Sequence, residues 1–370
     1  MPTRLMYAAS EYDADMLYAT RFFAPDAFVY LEKNGRKIVL LSDLEIDRGR
    51  ATAKVDAVEA WSDYANPLKK GKRPAPASSV IVAFLHAHRV RSAVVPAHFP
   101  LGLAESLARS GVRLCPAQKS FWPEREFKNV TELAALRKAL AITAEGLKRG
   151  FAVLRESSPG PRGVLRWQGK VLSSERLRAE IDTVCLQLGA VASGTIVAGG
   201  LQACDPHDRG SGPLRAGELI ILDLFPRHTP TGYHGDLTRT VIKGRATDAQ
   251  RRLWNAVRAG QKQAFAGMQP GADGATVHAG VVKLFAEAGF PTEQRDGRWT
   301  GFFHGTGHGL GLEVHEAPRF ATTKFVTGQV LTVEPGLYVP GIGGARTEDV
   351  AVVTKTAAEW LSKLAYPFEL

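Results

Sequence analysis

Apolar residues in the first third of the chain alternate between short β-like runs and helix-like ones. DAFVYLE (26–32) and KIVLLS (37–42) are rich in β-branched and aromatic residues and flank Lys33-Asn34-Gly35-Arg36. Asn-Gly is the strongest short hairpin signal, so residues 26–41 predict strand-turn-strand. Helical spacing follows near 44–53, at 79–88 (SVIVAFLHAH) and near 101–110, with a β run at 92–96 (SAVVP). This alternation predicts a small α/β domain.

The segment from Cys115 to Val130, with Pro116, Pro123 and many charges, carries no period, and we place a domain boundary there: 1–124 and 125–370. A helix then starts at Thr131-Glu132-Leu133. Leu133, Leu136, Ala139, Ile142 and Leu147 carry its apolar face to about residue 156, where Ser157-Ser158-Pro159-Gly160-Pro161 stops it. A second helix fits 173–188. From Thr195 the pattern turns to short β runs, TIVAGG, ELIILDLF, DLTRTVI, QVLTVEPGLYV and EDVAVVT, interrupted by helices near 248–266 and 275–289. That order is compatible with two β-helix-helix-β halves and makes the larger domain α+β.

Composition narrows the class. A chain of 370 residues suits two domains, and 45% hydrophobic with 23% charged residues is ordinary for a folded protein, not a disordered one. No apolar run reaches about 18 residues, and the N-terminus lacks the apolar stretch of a signal peptide, so we expect no membrane association and a cytoplasmic location. Cys115, Cys185 and Cys204 are odd in number and show no CxxC spacing, which points to reduced, structural thiols. The net charge of +10 is scattered. Its densest run, 69–74, is short and free of aromatics, so it reads as a solvated loop and no nucleic-acid partner is expected.

The chemistry lies in charges set inside β runs. Asp223 sits in Ile220-Ile221-Leu222-Asp223-Leu224, Asp236 in Gly235-Asp236-Leu237-Thr238, Glu334 in Leu331-Thr332-Val333-Glu334-Pro335, and Glu348 beside Val350-Ala351-Val352-Val353. A carboxylate in such surroundings is costly unless a cation or metal compensates it. One alone would read as a strand-end carboxylate facing solvent or an arginine; four together do not. They are joined by HGTGHGLGLEVHE (304–316), a strand-like run in which three histidines stand among glycines that allow close backbone approach.

In this order LDLF…GYHGDLTRT, HGTGHGLGLEVHE, TVEPGLY and ARTED resemble the metal-binding signature of the M24 peptidases. The resemblance covers about 130–360, and the N-terminal part is similar to the creatinase-type domain of the proline-specific branch. It implies a pita-bread catalytic domain behind a smaller α/β domain, and two divalent ions: Asp223 on one, His308 and Glu334 on the other, Asp236 and Glu348 bridging. Four carboxylates and an imidazole suit Mn²⁺ best, with Co²⁺, Zn²⁺ or Fe²⁺ as alternatives. The resemblance further implies that Glu334 doubles as proton shuttle and that His315 and His207 hydrogen-bond substrate.

His304, Tyr338 and Arg346 match positions that line a proline pocket, and Arg319 lies near where prolidases hold a free proline carboxylate. The substrate implied is a proline-containing di- or oligopeptide: Xaa-Pro dipeptide first, longer Xaa-Pro peptides as the aminopeptidase P alternative. A homodimer is expected by analogy. The connection 224–235 departs from the pattern, being about two residues longer, and such connections vary readily. Its His228 and His234 read as loop residues. A non-catalytic binding protein on the same fold is the remaining alternative, disfavoured because all five ligand positions can coordinate.

Overall fold

The computed structural model describes residues 2–69, 73–362 and 364–370. Lys70, Gly71 and Lys72, the centre of the basic run expected to be a solvated loop, lie outside the described residues. The chain divides into two units, Met1–Arg125 and Glu126–Leu370.

The first unit is built on a six-stranded sheet in the order Ala57–Ala60, Arg36–Leu41, Phe28–Lys33, Arg4–Ala8, Ser92–Val95, Arg113–Pro116. The pairings of Phe28–Lys33 are antiparallel and the other three parallel. At the predicted turn Asn34 and Gly35 take φ of 53° and 80°, the left-handed pair that a tight twisted hairpin needs. Successive strand residues point to opposite faces. Leu5, Val29, Leu31 and Leu40 therefore meet Val80, Phe84 and Leu85 of the Ala77–Ala87 helix, while Met6, Tyr30, Val39 and Leu41 meet Met16, Phe22 and Trp122. A strand covered on both sides shows no alternation. For that reason Arg4–Ala8 escaped the sequence pattern, as did the helix Ala14–Thr20 that Asp13 caps by accepting from Met16 N–H at 2.7 Å.

In the second unit the helix Val130–Glu156 opens with a capping box between Asn129 and Glu132. It packs with Ser174–Gln187 against an antiparallel sheet of Ile196–Gly199, Leu219–Leu224 and Leu237–Ile242. A second helix pair, Asp248–Gly267 and Gly274–Glu287, shares a core with a sheet ordered Glu316–Arg319, His308–Gly309, Val330–Val333, Asp349–Val353, Ala358–Trp360; Val257, Phe285, Leu331, Val333 and Val353 are buried in it. The hairpin Gly336–Val339 with Gly343–Arg346 packs on the Asp248–Gly267 helix and on Leu219–Leu224.

Two expectations need correction. QVLTVEPGLYV is not one strand: it breaks at Glu334-Pro335 into pieces of different sheets, since proline cannot donate to a ladder. The 304–316 run is strand only at His308–Gly309, and Glu316 begins the next strand; the rest is irregular. The three cysteines are free, Cys185 buried and Cys115 exposed. No helix among the described residues is long and apolar enough to cross a membrane.

Candidate active site

Strand register brings the carboxylates together. Asp223 pairs with Thr238, and Asp236, two residues before Thr238, falls on the same face. In the other sheet Val333 pairs with Asp349, and continuing that ladder by one residue sets Glu334 opposite Glu348. Gly309 pairs with Leu331, and His308 N–H donates to Thr332 Oγ1 at 3.0 Å, placing the imidazole over the face that carries Glu334. The two sheets are joined at Thr238. Its carbonyl accepts from Glu348 N–H at 3.1 Å, and its hydroxyl donates to Glu348 Oε2 at 2.7 Å.

Glycine enforces closeness here. A Cβ on Gly307 would sit 2.0 Å from the Thr332 carbonyl oxygen, and one on Gly235 would sit 2.1 Å from Thr143 Oγ1. Any side chain would push apart the segments that deliver His308 and Asp236.

The result is a buried acidic cluster. Ligand atoms of Asp236, His308 and Glu348 all lie within 4.8 Å of one another. His308 Nε2 is 3.2 Å from Glu334 Oε1 and 3.8 Å from Asp236 Oδ2. Asp223 is turned toward Arg346, whose Nη2 donates to Oδ2 at 2.7 Å, while its Oδ1 is buried with no hydrogen-bond partner. Burial, then the charges of Glu348, Asp223 and Glu334, raise the Asp236 carboxyl well above its ordinary range; burial with Glu334 and Asp223 does the same to Glu348. Burial also pushes Glu334 upward, but the hydrogen bond and charge of His308, with His304 and Arg346, outweigh it and hold that carboxyl at about 2. Four carboxylates facing one imidazole, one oxygen of them orphaned, are a donor set that fits divalent cations of hard to borderline character.

Around this cluster runs a chain of hydrogen bonds. Arg346, buried, donates through Nη1 to Tyr338 Oη at 2.8 Å. His304 Nδ1 lies 2.8 Å from its neighbour Gly305's carbonyl oxygen and so carries the proton, leaving Nε2 to accept from Tyr338 O–H at 2.8 Å. Burial, Arg346 and His207 depress His304 to about 4, against the pull of Glu334, so its ring is neutral at pH 7. Arg346 thus spends its donors inside the protein; Tyr338 is fully buried and His304 is half-buried.

His315 is exposed and meets the His308 ring edge-on, with centroids 4.3 Å apart. His207 is exposed on a turn in which its N–H donates to Asp205 Oδ1 at 3.0 Å, within electrostatic reach of both His304 and His315. Arg319 pairs in register with His308, is exposed, and acts on the charge of His315. His228 and His234 are tied within their own connection, Nδ1 lying 2.9 Å from Thr231 Oγ1 and 3.1 Å from the Phe225 carbonyl oxygen.

Several residues escaped the sequence reading. Thr238 and Thr332 bond to Glu348 and His308 and are marked only by standing two residues from Asp236 and Glu334. Lys128, buried against Glu316, lies 188 positions from its partner and carries no local signal.

The model of metallopeptidase family M24 matches residues 134–355. The Xaa-Pro dipeptidase of Pyrococcus furiosus is 29% identical over 245 residues, 65% of this chain and 64% of that protein, so the aligned stretch spans less than two thirds of this relative. Among solved structures, the prolidase from Pyrococcus horikoshii matches with a TM-score of 0.80 at 22% identity, covering 100% of this chain and 95% of that one. An X-Pro aminopeptidase from Thermotoga maritima matches with 0.82 at 20%, covering 100% and 98%. At these identities the likeness speaks for the fold, and the two-domain pita-bread architecture is shared.

Proposed function

The chain belongs to metallopeptidase family M24, and from that premise we propose that it hydrolyses the peptide bond preceding proline, with Xaa-Pro dipeptides as its substrates. The observation that carries the reading is the convergence of Asp223, Asp236, His308, Glu334 and Glu348, in which the Asp236 and Glu348 carboxyls are pushed far up by burial and then by mutual repulsion. Such repulsion is relieved by cations. Asp223 would hold one ion, His308 and Glu334 the second, and Asp236 and Glu348 both, with Mn²⁺ as the metal these hard donors favour. Bound there, the ions supply Lewis acidity toward the scissile carbonyl and acidify water.

The protein's own groups do the rest. Glu334, whose side chain is more exposed than those of Asp223, Asp236 and His308, takes a proton from the attacking water onto a carboxylate oxygen and passes it to the leaving proline nitrogen. The exposed imidazoles of His315 and His207 donate N–H bonds to the substrate carbonyl and its developing oxyanion. The half-buried His304 ring, fixed by its hydrogen bond to the buried Tyr338 hydroxyl, gives the flat wall a rigid pyrrolidine packs on. Arg319, exposed and with no ion pair among the described residues, receives the free proline carboxylate, which favours dipeptides. A homodimer in the cytoplasm is part of the same reading and rests on analogy with relatives.

The test is hydrolysis of Ala-Pro and Gly-Pro against an Xaa-Pro-Xaa tripeptide in Mn²⁺. Dipeptides should be cut faster, and exhaustive EDTA or Glu334→Ala should abolish turnover. Faster tripeptide cleavage would replace the dipeptidase reading with an aminopeptidase one; activity that survives chelation would refute the metal mechanism.

A further inference from the structure

The helix Asp248–Gly267 buries Leu253, Val257, Gly260 and Ala264 along one stripe, and Gln261 stands in that stripe at 8% exposure. An amide at a core position is costly unless it is hydrogen-bonded. Its Nε2 lies 3.1 Å from the Val333 carbonyl oxygen, 3.3 Å from the Thr347 carbonyl oxygen and 3.2 Å from Asp349 Oδ2. All three are acceptors, so the nitrogen of the amide faces them and shares its two N–H groups among them. Asp349 is itself held, accepting at Oδ1 from Arg239 Nη2 at 2.7 Å and from Ser362 Oγ at 3.0 Å. A Cβ on Gly260 would lie 2.5 Å from the Phe285 ring, so this turn of the helix is seated closely on Gly274–Glu287.

Two of those acceptors have a common place in the chain. Val333 directly precedes Glu334, and Thr347 directly precedes Glu348. The ladder between Val330–Val333 and Asp349–Val353 has its last register pair at Val333 and Asp349. Past that pair the backbone N–H groups turn to other partners. Glu334 N–H donates to the Thr306 carbonyl at 2.9 Å, Glu348 N–H to the Thr238 carbonyl at 3.1 Å, and Pro335 has no N–H to give. Where the ladder ends, the Gln261 amide bonds across both segments, just before the two carboxylates.

We propose that Gln261 is a positioning residue for the metal site: by holding the Val333 and Thr347 carbonyls it sets the spacing of Glu334 and Glu348, and with it the affinity of the cluster for divalent ions. It touches neither substrate nor ion. The proposal rests on the reading of the five clustered residues as metal ligands and deepens it. Residues that orient a ligand from behind change metal affinity about 10–100-fold when lost.

The full-length protein, stripped of metal, is titrated with Mn²⁺ by calorimetry, which gives the Kd, while thermal scans of the same samples report folding. Gln261→Met keeps the length of the side chain and removes both donors, and it should raise the Kd for Mn²⁺ about tenfold or more. Leu253→Ala thins the core roughly two turns earlier on the same helix and is the comparison for lost stability alone. It should leave the Kd within about twofold of wild type. If Gln261→Met does not fold, Gln261→Asn decides: its amide, one methylene short, cannot reach both carbonyls, and the Kd should again rise beyond about twofold. A folded Gln261 variant within about twofold of wild type, or Leu253→Ala weakening binding as much as the Gln261 variant does, overturns the positioning role. Mn²⁺ binding by the wild type then leaves the proposed metal site standing. Wild-type protein that binds no Mn²⁺ overturns both.

Discussion

Lys128 tests how the histidine-bearing segment is held. Its ammonium donates to Glu316 Oε1, with the two side chains only 2% and 5% exposed. Glu316 begins the strand that pairs with His308–Gly309, directly after His315, and its Oε2 accepts from Glu313 N–H at 3.3 Å. Lys128→Met keeps the length of the side chain and removes the charge, so the buried Glu316 carboxylate loses the ammonium bonded to it. Removing one partner of a buried pair costs about 3–5 kcal/mol. The Glu313 bond partly compensates the carboxylate, which places our expectation at the lower end, about 3 kcal/mol. For a unit of this size that corresponds to a melting-temperature loss of about 6–12 °C. The assay is scanning calorimetry of the full chain, with Lys128→Met/Glu316→Leu alongside. The double variant should recover most of the loss, because the buried carboxylate is then removed together with the ammonium. A single variant within about 0.5 kcal/mol of wild type, or a double variant no better than the single, would refute the argument that the ion pair fixes this strand.

Three further outcomes follow from the same geometry. His304 is lowered from 6.5 to about 4; between those values the unfolded chain binds the extra proton, so metal-free protein should lose stability as pH falls from 6.5 toward 4, and His304→Gln should flatten the unfolding free energy by about 1.4 kcal/mol per pH unit in that window. An unchanged slope would show that His304 does not stay neutral in the fold. Arg319→Ala should raise KM for Ala-Pro about tenfold while moving kcat little, and a fall in kcat alone would contradict its assignment to the ground-state carboxylate. Burial pushes the Cys185 thiol up to about 12, whereas Cys115 is exposed; native protein at pH 8 should therefore alkylate at Cys115 and not at Cys185, by peptide mass analysis, and rapid modification of Cys185 would show that the Ser174–Gln187 helix opens.

The clustered residues were legible because each stands out locally: four are carboxylates in apolar runs, conspicuous whether or not the run is a strand, and His308 stands in a glycine-rich histidine run. The supporting structure was not. Gly343–Arg346 is a fully buried strand, yet Gly-Gly-Ala-Arg has neither β propensity nor alternation to announce it. The irregular path through 304–316 is likewise set by distant segments, since Gly307, Gly309 and Gly311 are packed against Thr332, Ala317 and Glu316 more closely than a side chain would allow. Local pattern cannot report contacts of that range.

This difference bears on how the site is built. A one-residue slip of Leu219–Leu224 against Leu237–Ile242 would turn Asp223 to the face away from Asp236, and with both strands buried on both faces the alternation of apolar and polar residues does not by itself set the register. What opposes the slip is the set of bonds around Thr238 and Arg239. Thr238 bonds to Glu348 through both its carbonyl and its hydroxyl, and Arg239 reaches the Glu348 carbonyl at 2.5 Å and Asp349 Oδ1 at 2.7 Å. These two residues sit opposite Asp223 and Leu222 in the ladder, so a slip that misplaced Asp223 would also have to break the link to the second sheet. The acidic face is therefore held in register by the residues that join the two sheets, and Thr238→Val should weaken metal binding through the position of Glu348 even though it removes no ligand.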